Sequence, residues 1–280
     1  MFSLQKIIVS LFVVFLSVKG FASDPYGLSA GARQTGIAQV CVMNNDLWSS
    51  FHNQAGLAYN KSFSFALNYE NRFSIKELGT RSAAITLRAG RVSLGAVYSH
   101  FGYSDFRRQM TGLACGMPLS NNIAAGVQID YFSERTTGEY NNNQILTCEA
   151  GINITAAHNI KIGIHIFNPL PNSIRKSDMP TGLRAGAGAN LSEALFAAVE
   201  TEMSTGHNLV IRSGFEYEMA KKFIIRGGFS TENSSFCFGF GYRAGQAIID
   251  FGFATHEQLG ITSSVSIIFK IKEEYPQSSL

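Results

Sequence analysis

Six histidines and four cysteines are the residues of this 280-residue chain that could bind a metal ion or act as nucleophile and base. Zinc sites hold such ligands at short spacings, and a catalytic serine or cysteine needs a histidine beside it. The cysteines form no C-x-x-C pair, and His256-Glu257 lacks the second histidine of an H-E-x-x-H motif. No histidine shares a strand face with a clear serine partner. The sequence therefore predicts no enzyme, no catalytic residue, no metal and no cofactor.

A second group able to do chemistry consists of charged side chains that recur singly within apolar segments. They could pair with one another and hydrate an interior, or they could handle a passing solute or brace a plug. The basic residues are scattered and the net charge is only +3, so no nucleic-acid partner is expected. The members of this group are Glu70, Arg88, Asp130, Glu149, Lys161, His165, Arg184, Glu200, Arg212, Glu216, Arg226 and Arg243.

The segments that carry these charges alternate in polarity with a period of two. In residues 123–132, for example, Ile123, Val127 and Ile129 fall on one face, and Ala124 and Asp130 fall on the other. Such alternation is typical of a β-strand, and about 9 to 11 residues allow a tilted strand to cross a bilayer. We count about fourteen such segments: residues 62–71, 80–88, 91–99, 106–117, 123–133, 144–154, 160–167, 181–190, 195–203, 208–218, 223–230, 235–242, 247–255 and 262–271.

Short and long connections alternate between these predicted strands. The tight turn at Ala89-Gly90 contrasts with the longer links at residues 72–79, 134–143 and 168–180. Outer-membrane barrels show this alternation, with short turns in the periplasm and longer loops outside. The order of long and short links predicts that both termini are periplasmic.

Charge and aromatic placement fit the same fold. An arginine or lysine that faced lipid at mid-depth would cost roughly 2 to 4 kcal/mol, so the charged group should face the lumen. Aromatic residues end the lipid-facing stripes at both rims, as in the girdles of membrane barrels. A soluble β-sandwich is the alternative, but it gives no reason for alternating links. We predict an all-β fold, a transmembrane antiparallel up-and-down β-barrel of about 14 strands in a bacterial outer membrane, whose lipid is then a partner.

The chain divides into four parts. Residues 1–22 carry Lys6, an apolar run over residues 7–18 and a small-residue end, which is typical of a secretory signal peptide. Residues 23–61 do not alternate and are long enough to plug a barrel. The barrel itself would occupy residues 62–271, and residues 272–280 would form a periplasmic tail.

The four cysteines are expected to be mostly free. Cys115 and Cys148 fall on lipid-facing positions two strands apart, which exceeds the reach of a disulfide. Cys41 and Cys237 could meet only if residues 23–61 lie inside the barrel.

A short helix is predicted within the plug. Asn45 or Asp46 could cap it, and it would end near Gly56. Its apolar face could contact a hydrophobic ligand or simply pack the plug against the barrel wall. The residues of that face are Leu47, Trp48 and Phe51.

This region resembles the N-terminal signature of PorV/PorQ-like outer-membrane proteins, which belong with the FadL-type long-chain fatty-acid transporters. The resemblance rests on Gly31-Ala32-Arg33, on residues 36–42 and on residues 45–58, which include Asn53-Gln54-Ala55-Gly56-Leu57. FadL-type chains have Asn-Pro-Ala-Gly-Leu at this point, so Gln54 replaces the proline and relaxes the backbone restriction of the turn. The resemblance implies a fourteen-stranded barrel whose N-terminal hatch contains this motif.

Two functions follow from the resemblance. FadL-type members imply a passive channel for small hydrophobic compounds. PorV-like members imply a non-transporting partner or scaffold of a type IX-like secretion machinery, and the segments Tyr69-Glu70-Asn71-Arg72-Phe73, Phe101-Gly102-Tyr103 and Phe167-Asn168-Pro169 are similar to those chains. The sequence favours neither function strongly.

Overall fold

The computed structural model describes residues 30–137, 143–157, 159–170, 173–174, 177–220 and 222–271. Fourteen strands form a closed antiparallel barrel, which confirms the predicted fold class and strand number. The signal peptide (1–22) and the tail (272–280) fall outside the described residues. The barrel strands are β1 (Phe63–Asn71), β2 (Gly79–Ala89), β3 (Val92–Gly102), β4 (Phe106–Pro118), β5 (Ile123–Thr136), β6 (Asn143–Ala157), β7 (Ile160–Phe167), β10 (Gly182–Asn190), β11 (Leu195–Ser204), β12 (Val210–Met219), β13 (Phe223–Ser230), β14 (Ser235–Ala244), β15 (Ala247–His256) and β16 (Gly260–Ile271).

Each barrel strand pairs with its neighbour along the chain, and β1 pairs with β16 to close the wall. Between β7 and β10, the two-residue strands β8 (Ser173–Ile174) and β9 (Ser177–Asp178) form a separate hairpin. Phe63 lies opposite Ile271, so the barrel begins and ends at one rim, here called the terminal rim. Connections at that rim have at most four residues, whereas the opposite rim, the loop rim, carries the longest connection. The loop-rim connections at 103–105, 231–234 and 257–259 are nevertheless as short as those at the terminal rim, so the predicted alternation is observed in part.

Alternate residues of the strands face outward and are exposed although they are apolar. Leu113 and Ile129 are 69% and 60% exposed, and Leu67, Val127 and Leu146 are also more than half exposed. An exposed apolar belt that surrounds a closed barrel is the surface that a lipid bilayer covers. None of the helices in the described part of the chain is long and apolar enough to span a membrane.

Residues 30–60, here called the inner segment, pack against the inward faces of the strands. They contain the helices α1 (Ala32–Gly36) and α2 (Ser49–His52) and a 3-10 helix at Gln54–Tyr59. The predicted helix is thus shorter than expected, and its capping residue was wrong. Trp48 occupies the N-cap position without a side-chain hydrogen bond, because the Asp46 carboxylate instead accepts hydrogen bonds from Arg33 and Gln34.

A ring of inward-facing glycines makes room for the inner segment. A Cβ atom on Gly126 would lie 2.2 Å from the Gln54 carbonyl carbon, and one on Gly163 would lie 2.3 Å from the Val42 oxygen. Most of the ring is in cross-strand register, which places glycines side by side around the wall. We call this set the glycine ring: Gly116, Gly126, Gly151, Gly163, Gly186, Gly214, Gly228, Gly239 and Gly252.

All four cysteines are free thiols. Cys41 lies in the inner segment and Cys237 is buried on an inward position of β14, while Cys115 and Cys148 lie on outward positions of β4 and β6. Their placement agrees with the sequence analysis.

The glycine ring predicts a steep penalty for a single methyl group. Gly126→Ala would force the Gln54 backbone to move, and overpacking of this kind typically costs about 1 to 3 kcal/mol. We expect a lower midpoint of thermal unfolding in detergent. Gly182→Ala is the matched control, because its Cβ would meet the Ser204 hydroxyl at an ordinary 3.4 Å. Equal midpoints for the two variants would contradict tight packing at the ring.

Candidate channel interior

A cavity of about 500 Å³ opens at the loop rim. Phe51 and His52 of α2 line it together with Thr35, Ala38 and Gln39, so the inner segment separates it from the terminal rim. Phe73, Phe167 and Leu259 add apolar walls, and arginine and glutamate side chains complete the lining. The cavity therefore combines aromatic and charged surfaces.

The predicted ligand-contact residues all belong to one buried apolar cluster. Phe51 also lines the cavity, whereas Leu47 and Trp48 lie beneath it. The barrel wall contributes to that cluster through inward-facing residues of β1 to β6 and of β16. Its principal members are Ala66, Ala84, Val97, Met110, Phe132, Ile145 and Ile268. Whether Leu47, Trp48 or Phe51 touches a ligand stays a prediction.

Charged residues concentrate on the other side of the lumen in two clusters. The upper charge cluster lies near the loop rim, where Arg184 pairs with Glu200 and donates a hydrogen bond to the Gln39 carbonyl at 2.8 Å. The Arg212 guanidinium bridges Glu202 at 2.5 Å and Glu232 at 3.0 Å. We define this cluster as Arg184, Glu200, Glu202, Arg212 and Glu232.

Glu200 links the upper charge cluster to the inner segment. One of its carboxylate oxygens accepts hydrogen bonds from the backbone amides of Cys41 and Val42, at 2.8 and 2.9 Å. Glu200 is fully buried, so these bonds and Arg184 compensate for the loss of water around its charge. Burial raises the pKa of the adjacent Cys41 thiol to about 12, which keeps it protonated and unreactive.

The lower charge cluster lies nearer the terminal rim and fixes the first helix. Arg33 donates to Asp46 at 2.6 Å and to Glu216 at 2.8 Å. Arg226 bonds the same Glu216 oxygen at 2.6 Å and reaches Asp250 at 2.7 Å. Arg33 therefore connects the inner segment to β12, and through Arg226 to β13 and β15. We define this cluster as Arg33, Asp46, Glu216, Arg226 and Asp250.

The predicted hatch motif, residues 53–57, is held by its own polar contacts. Asn53 Nδ2 donates to the Val42 carbonyl at 2.7 Å, while Asn53 Oδ1 accepts from the Ala55 amide at 3.1 Å and caps the 3-10 helix. Gln54 Nε2 donates to Glu149 on β6 at 2.6 Å. Ala55 and Leu57 are fully buried, and a Cβ on Gly56 would lie 2.4 Å from the Asn44 carbonyl oxygen.

His52 is a neutral residue of the cavity floor. Burial lowers the pKa of its imidazole to about 4. Its Nε2 lies 2.9 Å from the Ala30 carbonyl, so the ring donates that proton and ties α2 to the start of the segment.

The remaining predicted lumen charges are spread over the wall. Glu70 is buried and pairs with Arg72 at 3.1 Å. The buried His165 lies 3.0 Å from Glu149, and Gln128 bonds the buried Asp130 at 2.7 Å. Arg88 donates to the Ala58 carbonyl at 2.8 Å, while Lys161 lies on the inward face of β7 and Arg243 pairs with Glu218 near the terminal rim.

Several residues of the two charge clusters are not among the lumen charges predicted from the sequence. Glu202 and Asp250 occupy inward positions of their strands, so the same alternation could have identified them. Arg33 and Asp46 lie in the segment without a period, and their partners depend on the fold. Among the described residues, no group of three His, Cys, Asp or Glu side chains is arranged to hold a metal ion.

Comparisons with known proteins support the fold. No family model matches the chain, and no curated protein matches its sequence. Among solved structures, the toluene transporter TbuX of Ralstonia pickettii superposes with a TM-score of 0.68 at 11% identity, covering 92% of this chain and 100% of TbuX. The toluene transporter TodX of Pseudomonas putida gives 0.67 at 8% identity, with coverages of 87% and 99%.

A FadL homologue of Pseudomonas aeruginosa also matches, with a TM-score of 0.64 at 11% identity and coverages of 86% and 98%. None of these three neighbours is a PorV or PorQ protein, so that narrower resemblance stays a prediction, and nothing in them points to secretion-system partners. The chain has the fold of FadL-type outer-membrane transporters.

Proposed function

We propose that the chain is a passive channel for small hydrophobic compounds in a bacterial outer membrane. The observation that carries this proposal is the cavity at the loop rim, whose floor contains Phe51 and whose wall contains Phe167. A cavity of about 500 Å³ lies within the usual size range of small-molecule sites, and aromatic linings favour apolar ligands. Two neighbours of the same fold are described as toluene transporters, so toluene is the natural first probe.

The inner segment serves as the hatch of this channel. In the described residues the wall is hydrogen-bonded all the way around, and the irregularity between β6 and β7 is limited to a register shift at Thr155/Ala157. A compound in the cavity therefore reaches the far side when the hatch shifts. The hatch is attached through polar bonds from Arg33, Gln54 and the amides at residues 41 and 42.

The loop rim faces the cell exterior in this proposal, and the terminal rim faces the periplasm. The connections at the terminal rim are short, which matches the usual pattern of outer-membrane barrels. Both ends of the barrel then lie on the periplasmic side, and the cavity opens outward to collect its ligand.

Uptake by whole cells tests the function. Cells that display the chain in the outer membrane should take up labelled toluene several-fold faster than cells without it. Ala254→Trp places an indole in the cavity and should at least halve that gain, because Ala254 lines it. Ala96→Trp on the outward face of β3 is the control. Equal uptake with both variants, at equal barrel levels, would contradict the proposal.

Trp48 gives a second test because it is the only tryptophan and its ring lies 6.0 Å from that of Phe51. Toluene added to the purified protein in nanodiscs should shift the Trp48 emission saturably. Phe51→Ala should raise the apparent Kd about tenfold, since an aromatic contact contributes roughly 1 kcal/mol beyond its area. Phe236→Ala on the lipid-facing side should leave the Kd unchanged. The same Kd for the wild type, Phe51→Ala and Phe236→Ala would show that toluene does not bind beside Phe51.

The attachment of the hatch can be loosened deliberately. Arg33→Gln leaves Asp46 and half of the Glu216 interaction without a guanidinium, which is strongly destabilising for a mostly buried ion pair. We expect a larger or noisier conductance in planar bilayers. Arg243→Gln removes the partner of Glu218 near the same rim without touching the inner segment, so its conductance should match the wild type. Unchanged conductance for Arg33→Gln would show that Arg33 does not hold the hatch.

A further inference from the structure

The outward face of the loop rim carries a charged surface that is separate from the lumen. Arg81 on β2, Arg107 on β4 and Arg135 on β5 are exposed, and each lies on the strand face that elsewhere meets lipid. We call these three residues the basic patch. Other strand ends of the loop rim present uncharged outward side chains, including Leu183, Met203, Phe236 and Ile261.

The register brings the basic patch together. Arg107 lies directly opposite Arg135, and Arg81 lies opposite His100 on the intervening strand β3. With strands about 4.8 Å apart, the three side chains start within a width of about 14 Å. Like charges placed directly opposite each other destabilise a sheet, so an anion bound between them would stabilise this arrangement.

No such anion is provided by the part of the protein that the structure describes. None of the three guanidinium groups has an ion-pair partner there. The adjacent register pair on the same two strands is different. Arg108 faces the lumen and forms an ion pair with Glu134 at 2.6 Å. Among the described residues, Arg108 is therefore neutralised by Glu134, while the three outward arginines have no acidic partner.

Tyrosines show the depth of the basic patch in the membrane. Tyr69, Tyr98 and Tyr131 are exposed on the same outward face, and such girdles mark the boundary between hydrocarbon and headgroups. Arg81 lies level with Tyr69, whereas Arg135 lies four residues beyond Tyr131 toward the loop rim. The guanidinium groups therefore lie at the level of lipid headgroups.

We propose that the basic patch binds the phosphate groups of lipid A in the outer leaflet. Guanidinium groups bind phosphate oxygens through paired hydrogen bonds, and two opposed arginines supply donors for one phosphate from both sides. The inference rests on the proposed placement of the loop rim at the cell surface, and it does not depend on transport.

The test measures binding of lipid A to the full chain in detergent by native mass spectrometry. The double variant Arg107→Gln/Arg135→Gln should bind lipid A about tenfold more weakly, since each basic residue near an anionic lipid surface contributes appreciably. Arg91→Gln, an exposed arginine at the terminal rim, should bind as the wild type does. Lipid A without its phosphates should bind the wild type as weakly as it binds the double variant.

Three outcomes would overturn the proposal. They are unchanged lipid A binding by the double variant, equal occupancy of the site by inorganic phosphate alone, and a lower thermal midpoint of the double variant in lipid-free detergent. The last result would mean that the arginines stabilise the fold, whereas removing their repulsion should leave the midpoint equal or higher. Toluene uptake by the double variant should be unchanged, so failure of lipid binding and failure of the channel proposal are distinguishable.

Discussion

The structure depends on one steric constraint, which is the close approach of the inner segment to the barrel wall. Larger porins leave an aqueous channel, but a barrel of this size can hold a backbone against its strands only where those strands lack side chains. The glycine ring satisfies this condition around most of the circumference. Above and below the ring, the strands carry larger inward side chains, and these determine what the two faces of the inner segment contact.

Apolar packing and polar bonds both hold the inner segment, and the β1 to β6 side combines them through Gln54–Glu149 and Arg88–Ala58. Trp48 and Leu47 pack on apolar side chains of β1 to β6, and Arg33 and the amides at residues 41 and 42 bond charged side chains of β11 and β12. Apolar packing is non-directional, whereas ion pairs have defined partners. The polar bonds therefore set the register of the inner segment, and the apolar packing adds buried area. The hydrogen bonds of the barrel wall do not depend on these polar contacts, because they join neighbouring strands.

The strands could be predicted because a membrane barrel imposes a strict period of two over each of them. Ile160–Phe167 and Phe223–Ser230 match the predicted ends, while β5 extends to Thr136 because its last residues pair with Phe106 and Arg107 of β4. The inner segment has no such period, so α1 was missed and the cap of α2 was misassigned. Inward charges could be identified by the same alternation, but their partners depend on register. The pairing of Glu216 with both Arg33 and Arg226 needed the fold.

The motif around Asn53 shows how a sequence change can preserve a shape. Gln54 stands where FadL-type chains have proline, yet Asn53 has the extended backbone that residues before proline adopt. The Asn53 side chain stabilises this conformation by accepting a hydrogen bond from the Ala55 amide. The amide of Gln54 adds a bond to Glu149 that a proline could not make. The turn is therefore restrained by side-chain bonds rather than by a ring.

The closure of β1 on β16 also has a consequence for assembly. The inner segment precedes every barrel strand in the chain, yet it lies inside the completed barrel. The contacts that complete the wall join its first and last strands, which are separated by almost the whole barrel sequence, and contacts of such long range form slowly. The inner segment is therefore enclosed only when β16 pairs with β1. A wall that closed before the inner segment had entered the lumen would exclude it.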